Sequence, residues 1–207
     1  MGRITTPTYL RTPEFLTNEI RDLCREVDSS QRPVYVSVKP EAGCSLGECL
    51  ENVQRKVETS GGGLQHGWNI RIWPMVLLDA QFHVVYVNPP GTYLDITPTE
   101  NEVNRILFLP DTLRVFSDER VHNRRIALND DPDVQEYIAL THDKDQIGEY
   151  DPVRSRVGFT APEMQRRDQI QERRATLFNI LMFRYAVATG PCPCGSGQKF
   201  KHCCRGK

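Results

Sequence analysis

The sequence has no apolar run approaching the roughly 20 residues that a bilayer-spanning helix needs, and its first residues lack the basic-then-apolar order of a secretory leader. A cytoplasmic protein is expected. Excess charge of either sign is also missing: 26 basic and 27 acidic residues leave a formal net charge of -1. That balance argues against a nucleic-acid-binding or membrane-surface protein, so any basic patch must be local. Tryptophan is scarce, and both copies, Trp68 and Trp73, fall in one short segment, where large aromatics on a half-buried strand are usually core.

What is present is an ordinary soluble composition. Of 207 residues, 39% are hydrophobic and 26% charged, enough for one domain of good size and a small extra. Seven cysteines in a reducing compartment read as metal ligands, a possible nucleophile and packing residues rather than a disulfide framework.

Residues 1–12 are polar, Thr-rich and interrupted by Pro7, and read as an irregular arm. Phe15, Ile20, Leu23 and Val27 lie near helical spacing and predict a helix from Pro13 to about Val27. Cys24 lies among them as a packing thiol. Val34–Val38 alternates with β-branched residues and predicts a strand.

After a Gly-containing turn, Leu50, Val53 and Val57 predict a second helix. Ser45 followed by Glu48 fits a capping box, which places Cys49 in or just after the opening turn. There the free N–H groups and the positive end of the helix dipole favour a thiolate. Cys44, just outside, is the rival thiol. Thr59-Ser-Gly-Gly-Gly63 ends the helix.

Three extended segments follow: Gly67–Trp73, Gln81–Val87 and Tyr93–Thr97. The last two flank Asn88-Pro-Pro-Gly91, a turn. A turn centred near Pro89 gives paired residues an index sum of 178 and sets His83 directly opposite Asp95. Centred half a residue later, it sets Asp95 against Val84, and the side chains part unless a bulge intervenes. His66, just before the first of these strands, is a second imidazole that reads as a strand-end residue.

A cysteine near the start of a helix, His on a following strand and Asp on the next is the order of the transglutaminase-like, papain-related cysteine hydrolases. Gly-Trp-Asn-Ile-Arg-Ile-Trp, Gln-Phe-His-Val-Val-Tyr and Leu-Asp-Ile-Thr-Pro resemble a group of bacterial proteins of that kind, over residues 33–98. The group's Cys, hydrophobe, any residue, Asn-Val is here Cys49-Leu-Glu-Asn52-Val53, which favours Cys49 over Cys44. The resemblance implies a Cys49–His83–Asp95 triad: a thiolate that attacks an acyl carbon, a general base, and a carboxylate that fixes the imidazole. Metal chemistry at Cys49 with His66 and His83 is a third reading.

Beyond Pro98, Asn104–Leu109 predicts one more strand, with a return strand near Arg114-Val-Phe116. Arg124 and Arg125 read as a solvated edge. Asp131-Pro-Asp-Val starts a helix to about Thr141 with Pro132 in its first turn, and 142–158 reads as a surface loop. Thr160-Ala-Pro-Glu163 is a second capping box, opening a helix of about 27 residues to Ala188. Its first half is polar and should begin in solvent; its second half is apolar and should pack on the domain or a partner.

Past Gly190-Pro191 the tail carries Cys192, Cys194, Cys203 and Cys204 around a Gly-Ser-Gly turn. Two Cys one residue apart and two adjacent ones further on can close four thiolates around one tetrahedral Zn²⁺. A segment this short has no core, so the metal would supply its folding energy. The pattern resembles the SEC-C motif, the zinc-binding tail of the bacterial preprotein-translocase ATPase and of many other bacterial proteins. The motif's fourth ligand is often His, and here it is Cys204. Four protein ligands leave no place for a substrate water, so one structural zinc is expected, with His202 as a spare imidazole outside the motif's ligand positions. Such tails contact acidic protein surfaces or ribosomes, which implies docking through Lys199, Lys201, Arg205 and Lys207.

The expectation is therefore an α+β fold: an antiparallel sheet with a helix carrying Cys49 on its N-terminal side, a transglutaminase/papain-like core over 13–188, a long C-terminal helix, and a zinc knuckle over 190–207. Function divides two ways. One is a cysteine-dependent acyl-transfer enzyme or amide hydrolase acting on a peptide or protein amide. The other is a non-catalytic zinc-binding adaptor that binds protein partners through its tail.

Overall fold

The computed structural model describes residues 9–99, 103–113, 121–151, 156–190, 192, 194, 196 and 198–206. They form two compact units: residues 1–73 with 78–126, and residues 74–77 with 127–207.

The first unit is built on a mixed sheet. Its strands are β1 (Val34–Val38), β2 (Gly63–Trp73), β3 (Leu77–Val87), β4 (Tyr93–Asp95), β5 (Arg105–Pro110) and β6 (Arg124–Ala127). The order is β2-β5-β1-β4-β3-β6, and β2 also pairs with β3, so five strands close into a barrel with β6 outside the ring. Closure removes the open edges that a flat sheet of these apolar strands would expose. The sheet is not wholly antiparallel as expected: β1 runs parallel to β4, with Ser37 beside Leu94 and Val38 beside Asp95.

Val36 and Val38 of β1, Val85 of β3, and Ile106 and Phe108 of β5 make one buried cluster. The opposite face of β3 gives Val84 and Tyr86 to a second cluster with Val53 of helix α2 (Cys49–Ser60) and Ile96. The alternation along β3 thus splits between sheet interior and helix cover. Two glycines are fixed by close approach. Gly62, at φ 89°, has the Val87 carbonyl 2.4 Å from where a Cβ would sit; at Gly67 a Cβ would meet the Leu109 carbonyl at 2.3 Å and the Phe108 ring at 2.4 Å.

Helix α1 (Asn18–Val27) begins later than its periodicity suggested, because Thr17 caps it by accepting from the Ile20 N–H at 3.4 Å. Phe15 stays 77% exposed. Arg125 is not a solvated edge residue either: its Nε lies 2.8 Å from Asp79 Oδ1, while Arg71 holds Oδ2, and Asp79 is buried. The carboxylate's two oxygens each need a cation once water is excluded. Trp68 and Trp73 are core residues, with Trp68 Nε1 donating to Asp111 at 3.0 Å. The return strand expected near Arg114-Val-Phe116 lies outside the described residues.

The second unit pairs α3 (Pro132–Gln146) with α4 (Ala161–Arg184), and β7 (Glu149–Asp151) with β8 (Arg156–Gly158). Of the segment read as a surface loop after Thr141, residues 142–146 continue α3, and residues 149–151 and 156–158 pair as strands. The Thr160–Glu163 capping box is present, and the first turns of α4 are exposed as expected, with Ile170 its first buried residue; further along, its arginines engage α3. Arg173 makes a fork onto Glu136 with both contacts at 2.7 Å, and Arg174 donates to Thr141 at 2.8 Å. Its arginines pack on α3 through their heads and stems. At the other end Arg184 and Tyr185 both donate to Asp131, the cap of α3, at 2.6 and 2.8 Å.

Candidate functional site

Cys49 is the first residue of α2, and its cap is Glu48, with no side-chain capping bond. The Ser45–Glu48 capping box does not form, because Asn52 takes Ser45 instead. The buried Asn52 carboxamide accepts from the Ser45 N–H at 3.0 Å and donates to its carbonyl at 2.8 Å, folding the 45–48 loop back over the helix start. Its Nδ2 also reaches Thr97 Oγ1 at 3.3 Å. The motif asparagine is thus the clamp that presents Cys49.

His83 and Asp95 come together. His83 Nε2 lies 2.9 Å from Asp95 Oδ2, and Oδ1 of the same fully buried carboxylate accepts from the Thr97 N–H at 3.0 Å. A carboxylate only accepts, so Nε2 carries the proton and Nδ1 is left to the thiol. Cys49 acts on His83 as a hydrogen-bonding and charge partner. Burial alone would lower the imidazole pKa, but Asp95 and then Cys49 outweigh it and raise it to about 10. The cationic form is thereby held beside the sulfur at neutral pH.

The three residues line one cleft of about 300 Å³, with Asn69 and Arg71 of β2 forming a further wall. Within the first turn of α2, Asn52 is the residue whose N–H returns to the Glu48 carbonyl, at 2.9 Å. The N–H groups of Cys49 and Leu50 therefore have no partner within the helix, as at any helix start.

The other candidates lie elsewhere. Cys44 is half-buried against the α2 cluster and does not line the cleft. His66 stacks on Phe82 with centroids 5.8 Å apart, its pKa lowered by burial against the opposing pull of Asp111, and it too is absent from the cleft wall. Burial pushes Cys24 up to about 11, as befits a packing thiol.

In the second unit the sulfurs of Cys192, Cys194, Cys203 and Cys204 all lie within 4.8 Å of one another. Tetrahedral Zn²⁺ with Zn–S near 2.3 Å needs sulfur separations of about 3.8 Å, and Cys194 Sγ to Cys203 Sγ is 3.5 Å. Ser196 draws Cys194 down to about 6, while Cys192 and Cys194 push Cys204 up to about 12. Thiols this close cannot all ionise without a cation. The backbone shapes the cup: Cys192 N–H donates to the Gln198 carbonyl at 2.8 Å and Phe200 N–H to that of Gly190 at 2.9 Å. The Phe200 ring sits 6.3 Å from that of Phe183 on α4. His202 is exposed and outside the cluster. Among the described residues this is the one group of His, Cys, Asp and Glu placed to hold a metal, which sets Cys49 with His66 and His83 aside as a metal site.

Comparison with known families matches the SEC-C motif to residues 191–206. The four cysteines of that segment could hold one metal ion, consistent with a single structural zinc. No curated protein and no solved structure matched the chain, so the transglutaminase-like likeness of the barrel has no support from a relative. Among the described residues no helix is long and apolar enough to cross a membrane.

Proposed function

We propose that the first unit is a cysteine-dependent acyl-transfer enzyme or amide hydrolase, with Cys49 as nucleophile, His83 as proton carrier and Asp95 as its orienting carboxylate. The observation that carries this reading is the 2.9 Å His83–Asp95 contact in the cleft that Cys49 also lines. The Cys49 thiolate attacks the carbonyl carbon, and the oxyanion is met by N–H groups at the start of α2. His83 gives its Nδ1 proton to the departing amine as the C–N bond breaks, leaving a thioester. Water then attacks, its proton passing to His83, and the acid leaves as the thiolate reforms. The transglutaminase-like order of the three residues agrees with this chemistry.

Labelling with iodoacetamide across pH tests it. Selective modification of Cys49 well below pH 8.5, lost in His83→Ala, is the expected result. Modification no faster than that of Cys24 would sink the reading.

A second reading has its own observation, the SEC-C segment. In it the chain is a zinc-binding adaptor whose tail docks on an acidic protein surface; Lys199, Lys201 and Arg205 are there, and no acidic residue follows Gly190. Cellular function that survives Cys49→Ala but not Cys192→Ser supports the adaptor over the enzyme.

A further inference from the structure

The cleft holds one buried polar atom that the proposed chemistry leaves unused. Asn69 lies on β2 directly opposite Phe108 of β5, is only 9% exposed, and lines the same cleft as Cys49 and His83. Its Oδ1 is buried and accepts no hydrogen bond among the described residues. Buried carbonyls are nearly always paired, and an unpaired one on a residue that lines a cleft marks a group that a ligand donor can satisfy.

Its neighbours are engaged. Arg71 is held by Asp79, Thr12 Oγ1 donates to the Arg105 carbonyl, and Asp95 is shared between His83 and Thr97. The chemistry of the vacancy is one-sided: an amide oxygen only accepts, so the ligand must bring an N–H or an O–H. Charge narrows it further. Arg11 and Arg71 also line the cleft, and two guanidinium groups disfavour an ammonium ion there. The donors that remain are neutral, and among them the N–H of a carboxamide is the one that amide chemistry at Cys49 would bring.

Resting on the reading of Cys49 as a nucleophile, we propose that Asn69 is the specificity-determining residue of this cleft, its Oδ1 accepting the N–H of a carboxamide substrate and so selecting primary and secondary amides over esters and tertiary amides. Gly67, two residues earlier on the same strand, lets the Phe108 ring lie against bare backbone, which keeps that ring beside the strand that carries Asn69.

Two alkylating probes, one with amide N–H groups and one with N-methyl groups in their place, test this on the full chain: iodoacetamide and N,N-dimethyl-2-iodoacetamide. Rate constants for Cys49 are measured by peptide mapping, with glutathione as the unstructured reference thiol. In the wild type the ratio of the two rates should exceed the glutathione ratio by roughly fivefold, the worth of one ordinary hydrogen bond. Asn69→Leu should collapse it to the glutathione value, and Asn69→Asp, which keeps an acceptor, should retain it. A wild-type ratio equal to that of glutathione, or one retained in Asn69→Leu, overturns the proposal. Should Asn69→Leu misfold, the wild-type ratio and Asn69→Asp still decide. Failure of the Cys49 reading looks different: slow alkylation by both probes, unaffected by His83→Ala.

Discussion

His83 and Asp95 meet diagonally across the β3–β4 ladder. Tyr86 pairs with Leu94 and Val87 with Tyr93, an index sum of 180, so the residue opposite Asp95 in that register is Val85. The contact survives because a shift of two residues keeps both side chains on one face, and the diagonal neighbour is within reach of an imidazole. The turn is centred on Pro90, where the Asn88 side chain accepts from the Thr92 N–H at 2.7 Å.

This pair gives stability a pH dependence. The folded pKa of His83 is raised, against burial, by Asp95 and Cys49 to about 10. A raised pKa means that folding favours the imidazolium. Its contribution is full below the unfolded value near 6.5 and is lost as pH climbs through about 10. Asp95→Asn should be less stable than wild type by roughly 3 kcal/mol at pH 6, and the gap should close toward pH 10.5. Urea denaturation at a series of pH values measures it; a gap that widens with pH would contradict the assigned charges.

Asn52 makes a sharper prediction than its position in a motif suggests. It joins the 45–48 loop to Thr97, whose N–H is bound to Asp95. Asn52→Ala should cost about 2–3 kcal/mol, since it leaves the Ser45 backbone groups unsatisfied. It should also slow alkylation of Cys49 with no change in the pH at which the rate rises, because His83 and Asp95 are untouched. A shifted pH profile would mean that Asn52 acts on the imidazole.

Much of this site could be read from the chain, and the misses have definite causes. Period-two alternation placed His83 and Asp95 on strands, and helical spacing placed Cys49 at a helix start. Strand closure was invisible, because the β2–β5 and β1–β5 pairings and the parallel β1–β4 pair are long-range choices that no local period encodes. The capping box failed because Asn52, three residues into the helix, outcompeted Glu48 for Ser45. Asn69 was hidden inside an apolar strand, where an isolated amide gives no periodic signal. Arg125 looked solvated until its partner Asp79, 46 positions away, came beside it. The zinc cup was the most legible part, since its ligands lie within thirteen residues and need no distant element.

Gly67 tests the barrel itself. With the Leu109 carbonyl 2.3 Å and the Phe108 ring 2.4 Å from a would-be Cβ, Gly67→Ala must push β2 from β5. The expected loss is about 1–3 kcal/mol, read as a lower urea midpoint with an unchanged slope. A neutral result would show that the two strands separate without cost.

Zinc removal should act on the tail alone. The four thiols supply the ligands, and among the described residues the knuckle's other ties include a few backbone bonds and the Phe200–Phe183 contact, too little to hold so short a segment folded. Metal analysis should give one zinc per chain, lost in Cys203→Ser. Chelation should make four further thiols reactive to a chromogenic disulfide and open the chain to trypsin after Lys199 and Lys201. Acidification should do the same, because protons compete for thiolate. The alkylation profile of Cys49 should not move, since Cys49 lies in the other compact unit. A shift in that profile on chelation would instead tie the metal to the cleft.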